Sequence, residues 1–277
     1  MRETEIVKEM GKRYPNAEID VHEVEKVNGV VLRGLVIREG QCNVSPTIYL
    51  NNFEGYEVQE ACDKISKVYE QNKLTKDIDI SWFTDFEQVK SKIRMKLLNT
   101  ERNAGYLEDK PSVNFLDLSI VFYAEVDCEA IGSGTVKITN NHIKMWDVNA
   151  DELYEIAKAN KEYTLTDMAD FMEKHSEGNI PEEEIEAMRG CQFILSNADR
   201  VFGAGVLPAA LDSLKERFGK FYLIPSSVNE WLVIPDSFGL EKEFLDNMVR
   251  EVNNTTLEPE EVLSDHAYYF NGETLEV

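Results

Sequence analysis

The sequence predicts an α+β fold with mixed, largely antiparallel sheets and packed helices. Strand-like and helix-like segments do not alternate strictly along the chain, as they would in a parallel βαβ fold. Asn28-Gly29 and Asn271-Gly272 each separate two apolar segments, which is the pattern of a tight β-hairpin. We therefore expect antiparallel strands joined by short turns near both ends of the chain.

The first hundred residues predict a helix, a hairpin, a short strand and two further helices. Apolar residues recur at helical spacing over 2–13, 57–72 and 85–99. Strand-like segments cover 17–27 and 30–37, on either side of Asn28-Gly29, and 47–50.

The rest of the chain mixes strands with helices. Strands are expected over 115–126, 135–138, 142–146, 191–196, 221–224, 231–234, 268–270 and 274–277. Helices are expected over 150–162, 165–188, 208–219 and 240–252. Asn149 with Glu152 predicts a capping box, and Pro208 with Gly219 suits the two ends of a helix.

The negative charge is concentrated in the second part of the chain. The net charge is −23, and residues 111–277 hold 12 basic against 32 acidic residues. We set a domain boundary near residue 110, giving an α+β part over 1–110 and an acidic α+β part over 111–277; a single unit is the alternative. Direct nucleic-acid binding is not expected, because it requires clustered Lys and Arg.

The cysteines and the hydropathy indicate a cytoplasmic protein. The four cysteines are far apart and form no CxxC pair, as is common for free thiols in a reducing compartment. The polar start of the chain predicts no signal peptide, and no apolar run is long enough to span a membrane.

No motif predicts a cofactor, a metal ion or a catalytic centre. Gly132-Ser133-Gly134 lacks the lysine of a phosphate loop, and Gly203-Ala204-Gly205 lacks the third glycine of a dinucleotide fold. Ser264-Asp265-His266 holds the residue types of a hydrolase triad, but sequence neighbours point apart. No histidine spacing indicates a metal site. We therefore assign no cofactor and no metal.

The acidic segments are candidates for a binding surface. A large negative surface can attract a basic protein by imitating the polyanion that this protein normally binds. Solvated helix faces are the more frequent explanation of such charge runs. The candidate surface residues are Asp151, Glu152, Glu155, Asp167, Asp170, Glu173, Glu182, Glu183 and Glu184.

Several stretches of the chain match the pattern of one family. They cover 43–50, 101–103, 115–123, 225–227, 248–253 and 263–265. Together they resemble an uncharacterised family of bacterial proteins, a domain of unknown function common in anaerobic gut bacteria and their mobile elements. The resemblance implies no activity, cofactor or catalytic residue.

The resemblance directs the search for a site to polar loop residues that a core does not require. They are Asn43, Ser45, Arg102, Asn103, Ser226, Ser227 and Glu230. Among them Arg102 is expected to bind an anion or a carboxylate such as Asp117. The alternative is that these groups satisfy backbone hydrogen bonds at the ends of strands and helices.

Three functions stay open at this point. The first is a non-enzymatic binding protein, such as an inhibitor or accessory factor of a mobile element, which acts on a basic partner through its negative surface. The second is a hydrolase with a site near Cys42, Ser45, Arg102 and Ser226. The third is a housekeeping domain with neither property.

Overall fold

The structure is a computed structural model that describes residues 2–40, 42–128, 132–160, 162–176 and 178–277, with only the main chain of Cys128. Compactness divides the chain into two units. Unit 1 comprises Met1–Trp82 and Asp127–Gly134, and unit 2 comprises Phe83–Val126 and Thr135–Val277. This division falls earlier than the change in charge near residue 110, and separate folding of 1–110 and 111–277 stays a prediction.

Unit 1 is a small α+β unit in which two helices and a three-stranded antiparallel sheet share one core. The elements are α1 Glu3–Arg13, β1 Glu18–Glu25, β2 Val31–Arg38, β3 Thr47–Tyr49 and α2 Val58–Asn72. The strand order is β1-β2-β3. Ile6 and Met10 of α1 and Ile65 of α2 are buried with Leu35 and Ile37 of β2.

Unit 2 begins with a sheet of order β4-β6-β5, in which β6 also pairs with β7. These elements are α3 Phe86–Val89, β4 Ile93–Asn99, α4 Ala104–Leu107, β5 Ser112–Phe115, β6 Leu118–Cys128, β7 Gly132–Lys137, α5 Asn140–Trp146 and α6 Ala150–Ala159. The tips of β6 and β7 belong to unit 1 by compactness.

The remainder of unit 2 contains a six-stranded sheet of order β13-β12-β10-β11-β9-β8. Its elements are β8 Thr164–Asp167, α7 Met168–His175, α8 Glu182–Met188, β9 Phe193–Ser196, α9 Leu207–Phe218, β10 Phe221–Ser227, β11 Glu230–Pro235, α10 Lys242–Thr255, β12 Tyr268–Phe270 and β13 Leu275–Glu276. Leu245 and Val249 of α10 pack on Tyr222, Ile224 and Ile234 of this sheet. The α+β class with largely antiparallel sheets is confirmed.

Both predicted hairpins are confirmed. Asn28 and Gly29 have φ of 59° and 71° between β1 and β2, as the Asn-Gly signal requires. Gly272 has φ of 103° in the turn between β12 and β13, and Phe270 of β12 pairs with Leu275 of β13. The capping box of Asn149 and Glu152 at the start of α6 is also present.

The helix predicted over 85–99 is wrong. Phe86–Val89 is α-helical and Lys90–Lys92 is a short 3-10 helix, but Ile93–Asn99 is strand β4, which pairs along its length with β6. Val89, Ile93 and Leu97 are four residues apart, and this spacing puts them on one face of a helix and on one face of a strand alike. The segment forms a strand because its backbone hydrogen bonds pair it with β6.

The strand predicted over 142–146 is a helix. The Thr139 side chain and His142 form a capping box, in which the Thr139 N–H donates to His142 Nδ1 at 3.0 Å. Helix α5 then buries Trp146, whose Nε1 donates to the Phe83 carbonyl at 3.0 Å. Burial of the indole against Phe83 outweighs the strand propensity of the segment.

Two predicted segments are interrupted. The strand expected over 115–126 is confirmed from Leu118 onward as part of β6, but the chain turns at Leu116 and Asp117, and Phe115 belongs to β5 and faces Leu118. The helical stretch expected over 165–188 contains strand β8 and helices α7 and α8. Gly178, with φ of 77°, and Pro181 lie between the two helices.

Candidate functional site in unit 2

The predicted loop residues of unit 1 are held by backbone hydrogen bonds. Asn43 Nδ2 donates to the Ile78 carbonyl at 2.8 Å, and its Oδ1 accepts from the Ile78 N–H at 3.0 Å. Ser45 Oγ donates to the Ile37 carbonyl at 2.6 Å. Cys42 and Ser45 border a cavity of about 10 Å³, which is no larger than the space that a single water molecule needs. Asn43 and Ser45 therefore stabilise the conformation of this loop, and the cavity beside it has almost no room for a ligand.

Arg102 and Asn103 lie at the start of α4. Arg102 forms an ion pair with Asp265 instead of the expected Asp117. The Asn103 side chain is buried and donates from Nδ2 to the Asn99 carbonyl at 2.8 Å. Arg102 reaches Asp265 because the chain after α10 returns to this loop, and the turn at Asp117 directs that carboxylate to other donors.

Ser226, Ser227 and Glu230 come together at the turn between β10 and β11. Ser226 Oγ donates to Glu230 Oε1 at 3.4 Å, and Ser227 Oγ accepts from the Asn229 N–H at 3.0 Å. The strand register shifts between Pro225 and Ser227. Within the described chain, Arg102 makes no hydrogen bond to this group, so the predicted residues of unit 2 form two groups.

The nine predicted surface carboxylates fall into two sets. Glu152 caps α6, Asp167 caps α7, and Asp170 and Glu173 pair with Arg189. The other five are exposed on α6 and α8, and their carboxylates have no ion-pair or hydrogen-bond partner among the described residues. We call these five the open carboxylates: Asp151, Glu155, Glu182, Glu183 and Glu184.

A polar cluster joins several of the family-like stretches. Asp117 accepts hydrogen bonds from Tyr268 Oη at 2.7 Å and from His266 Nε2 at 3.1 Å. Asn253 Nδ2 donates to Asp265 Oδ1 at 2.9 Å. We name this set the Asp117 cluster: Arg102, Asp117, Asn253, Ser264, Asp265, His266 and Tyr268.

The geometry of the Asp117 cluster favours a structural ion pair over a catalytic triad. The His266 Nδ1 lies 3.2 Å from the Ala267 carbonyl, so both ring nitrogens face acceptors and neither is open to accept a proton. The hydrogen bond to Asp117 raises the pKa of His266. Ser264 is fully buried, and its hydroxyl has no described partner at hydrogen-bond geometry. It lies close enough to the Tyr268 hydroxyl to oppose the rise in the pKa of Tyr268 that burial causes.

The glycines before α9 are needed for packing. A Cβ atom on Gly203 would lie 2.0 Å from Ser196 Oγ, and one on Gly205 would lie 2.1 Å from the Met95 carbonyl oxygen. Both contacts are impossible for a larger residue. Gly203-Ala204-Gly205 therefore lets this turn approach β9 and β4 closely.

A cavity of about 210 Å³ lies beside this turn. We call it the Tyr123 cavity. Residues of β4, β6, α6, the loop after β9 and the beginning of α9 line it: Arg94, Met95, Tyr123, Glu125, Ala157, Asn160, Glu162, Asn197, Ala198, Asp199, Phe202, Gly205, Val206 and Ala209. The side chains include one arginine and three carboxylates.

One wall of the cavity is a face of the β4–β6 pair. Arg94 lies opposite Tyr123 in the register, and Arg94 Nη2 contacts Glu125 Oε2 at 2.8 Å. Arg94 Nη1 also donates to the Ser91 and Ile93 carbonyls at 2.9 and 3.1 Å. Its donors are therefore largely occupied by the protein itself.

Charge and burial perturb the groups on this wall. Burial raises the pKa of Glu125; nearby Asp199 and Glu162 raise it further, and Arg94 opposes them. Burial, with Glu125 and Asp199 nearby, also raises the pKa of Tyr123. Carboxyl groups with a raised pKa in a cleft are typical of functional sites.

The loop that closes the cavity has unusual backbone geometry. Arg200 and Phe202 have φ of 57° and 53°, which is rare for non-glycine residues. Asn229 Oδ1 accepts from the Phe202 N–H at 3.1 Å, and the Phe202 ring packs edge-on against Tyr123 at 5.4 Å. Such strain persists only where surrounding contacts fix it, and it clusters at binding sites.

Sequence reasoning missed the Tyr123 cavity. Its residues come from separate segments, and the wrong helix over 85–99 hid the fact that Arg94 faces β6. The polar run Asn197-Ala198-Asp199 after a buried strand was the available signal, because loops at strand ends often carry functional groups.

Among the described residues, no group of three or more His, Cys, Asp or Glu could hold a metal ion. None of the described helices has the length and apolar character needed to cross a membrane.

The family comparison agrees with the resemblance noted from the sequence. The model of a family of unknown function, DUF5688, matches residues 3–272, which is nearly the whole chain. Neither the search of curated proteins nor that of solved structures finds a match.

Proposed function

The chain belongs to this family of unknown function, and from its charge and side-chain contacts we propose that it is a non-enzymatic binding protein whose unit 2 holds a basic partner. As an inhibitor or accessory factor of a mobile element, it would imitate the polyanion bound by a nucleic-acid-binding protein. Its place would be the cytoplasm. The described thiols of Cys42, Cys62 and Cys191 are free, in keeping with a reducing compartment.

The observation that carries this proposal is the surplus of unpaired carboxylates in unit 2. The unit holds 35 acidic and 18 basic residues, and unit 1 holds 17 and 11. The open carboxylates extend from α6 and α8 into solvent. A field of this sign speeds the association of a basic partner and repels nucleic acid.

The hydrolase alternative has less support. The Ser45 and Ser226 hydroxyls each donate to a protein oxygen, and Arg102 is paired with Asp265. A nucleophile needs an adjacent base that can accept its proton. The Ser45 hydroxyl contacts a carbonyl oxygen, which is no such base. The Glu230 carboxylate lies beside Ser226 Oγ, but at 3.4 Å, and it also pairs with Arg200. A hydrolase site near Cys42, Ser45, Arg102 and Ser226 stays a prediction, as does the housekeeping role.

The proposal is tested by capture of binding partners from host-cell lysate at low salt, with elution at high salt and identification of the eluted proteins. A variant with amides at all five open carboxylates is compared with the wild-type chain. The control neutralises five exposed carboxylates of unit 1: Glu18, Glu54, Glu57, Glu60 and Asp63. Both variants lose the same charge, so a specific surface predicts loss of capture in the first alone.

A basic nucleic-acid-binding protein that elutes with salt from the wild-type chain and the control, but not from the open-carboxylate variant, supports the proposal. Equal capture by all three chains, or capture of acidic and neutral proteins only, contradicts it.

A further inference from the structure

The Tyr123 side chain is enclosed, and its hydroxyl opens into the cavity without a described protein partner. Tyr123 is 6% exposed and lines the cavity, yet its hydroxyl makes no hydrogen bond within the described chain. Asp199, Glu125 and Arg94, which also line the cavity, are near enough to influence its charge. The hydroxyl of an enclosed tyrosine ring normally has a hydrogen-bond partner, so one that reaches only cavity space indicates the position of a ligand atom.

The free groups that line the cavity with Tyr123 are acceptors, on the exposed residues Glu162 and Asp199. The Glu162 carboxylate has no hydrogen-bond or ion-pair partner among the described side chains. Asp199 accepts only the Val201 N–H, at 3.3 Å through Oδ1. The donors of Arg94 are directed to two carbonyls and Glu125. The cavity therefore offers two carboxylates and one hydroxyl oxygen to a donor, and it repels an anion.

The size of the cavity restricts the ligand. Its volume of about 210 Å³ is below the roughly 300–1,000 Å³ of sites for drug-sized molecules. Phe202, Val206 and Ala209 supply apolar surface next to the polar groups. A short alkyl chain that ends in a positively charged hydrogen-bond donor fits this volume. Its chain would contact the apolar surface, and its charged end would contact the polar groups.

We propose that the Tyr123 cavity binds an alkylammonium group, with its three N–H donors directed to Glu162, Asp199 and the Tyr123 oxygen. The same chemistry is present in a lysine side chain of a protein and in a free aliphatic amine. If the lysine belongs to the basic partner, the inference rests on the proposed function and makes the cavity the anchor point of that complex.

The test is a titration with n-butylammonium chloride, which reproduces the lysine side chain, followed by amide chemical shifts in NMR spectra of the full chain. We expect saturable shifts centred on Tyr123, Asp199 and Phe202. Butyrate and n-butanol, which have similar size without the positive charge, should produce no saturable shifts at the same concentrations.

Three variants remove one acceptor each: Glu162→Gln, Asp199→Asn and Tyr123→Phe. The control is Glu216→Gln, which neutralises an exposed carboxylate of α9 outside the lining of the cavity. Loss of a charged hydrogen-bond partner should weaken binding by about tenfold or more. Tyr123→Phe should weaken it by about threefold, and the control should bind as the wild-type chain does.

Equal binding of butanol, shifts centred elsewhere, or unchanged affinity in Asp199→Asn and Tyr123→Phe overturns the inference. The source of the amine follows from the partner capture described above. If Asp199→Asn loses both butylammonium and the partner, a lysine of the partner occupies the cavity. If it loses butylammonium but retains the partner, the ligand is a free amine and the binding function stands separately.

Discussion

Asp117 Oδ2 and His266 Nε2 are joined by a hydrogen bond of 3.1 Å, although 149 positions separate the two residues in the sequence. Tyr268 donates to the other oxygen of the same carboxylate. The turn between β5 and β6 thereby connects to the segment that precedes β12, and the two sheets of unit 2 share a charged contact.

This pair should make stability depend on pH. The hydrogen bond to Asp117 raises the pKa of His266 above its ordinary value of 6.5, so the stabilisation is complete below that value and is lost as the pH rises through the raised pKa. Burial alone would raise the pKa of Asp117, but hydrogen bonds from His266 and Tyr268 lower it. Its contribution is therefore present above the ordinary value of 3.8 and is lost as the pH falls through the lowered pKa.

We predict that Asp117→Asn lowers the free energy of unfolding by about 1–2 kcal/mol near pH 5 and by less near pH 9. Asparagine retains an acceptor for Tyr268, so the substitution isolates the charge. Urea unfolding at both pH values measures the effect, with Glu216→Gln as an exposed control. An equal loss at both values would show that His266 is not the charged partner.

Two buried serines differ in their hydrogen bonding and should respond differently to alanine. Ser119 Oγ is hydrogen-bonded to Thr100 Oγ1 at 2.9 Å, whereas the Ser264 hydroxyl lies near that of Tyr268 without hydrogen-bond geometry to a described residue. Ser119→Ala should cost about 1 kcal/mol, and Ser264→Ala should be neutral or stabilising, because it removes a desolvated group. Chemical denaturation measures both. A large loss at Ser264 would reveal a hidden partner.

Gly205→Ala should destabilise unit 2, because the added Cβ would lie 2.1 Å from the Met95 carbonyl oxygen. Overpacking of this kind costs about 1–3 kcal/mol or more. Gly11→Ala is the matched control, since nothing lies within 4 Å of its Cβ and it lies within α1. There alanine should add up to about 1 kcal/mol. Thermal unfolding measures both effects: Tm should decrease in Gly205→Ala and increase in Gly11→Ala.

Asn149→Ala should destabilise the first turn of helix α6, which Asn149 caps. The Asn149 side chain accepts the Glu152 N–H at 3.0 Å in the capping box. Loss of this cap costs about 1 kcal/mol, whereas Asn149→Gly costs a few tenths. Hydrogen exchange of the first-turn amides of α6 should rise more in the alanine variant. Identical exchange in both variants would contradict the role of the cap.

The sequence predicted correctly those features that depend only on residues close together in the chain, namely turns and helix caps. The Asn-Gly turns and the Asn149 cap are satisfied within a few residues, so they could be read from the sequence. Residues 93–99 could not be assigned correctly, because a four-residue spacing suits both a helix and a strand, and the partner residues in β6 lie 19 to 31 positions later. The partner of Arg102 was wrong for a similar reason, since the choice between Asp117 and Asp265 depends on tertiary contacts.

The Tyr123 cavity was beyond sequence reasoning for a physical reason. The Tyr123 hydroxyl is free because the fold places no hydrogen-bond partner from the described residues beside it, and the sequence does not show this. Arg94 would have been assigned as an available cation from the sequence alone, yet two carbonyls and Glu125 occupy it. Only the three-dimensional arrangement shows that the remaining polar groups are acceptors.

The salt dependence of partner capture tests the central claim most directly. The wild-type chain, the open-carboxylate variant and the unit 1 control are compared at about 0.05 M and about 0.5 M salt, which shortens the screening length about threefold. We predict that a basic protein binds the wild-type chain and the control at low salt and dissociates at high salt, while the open-carboxylate variant binds little at either. Salt-insensitive binding, or equal binding by all three chains, would contradict the account.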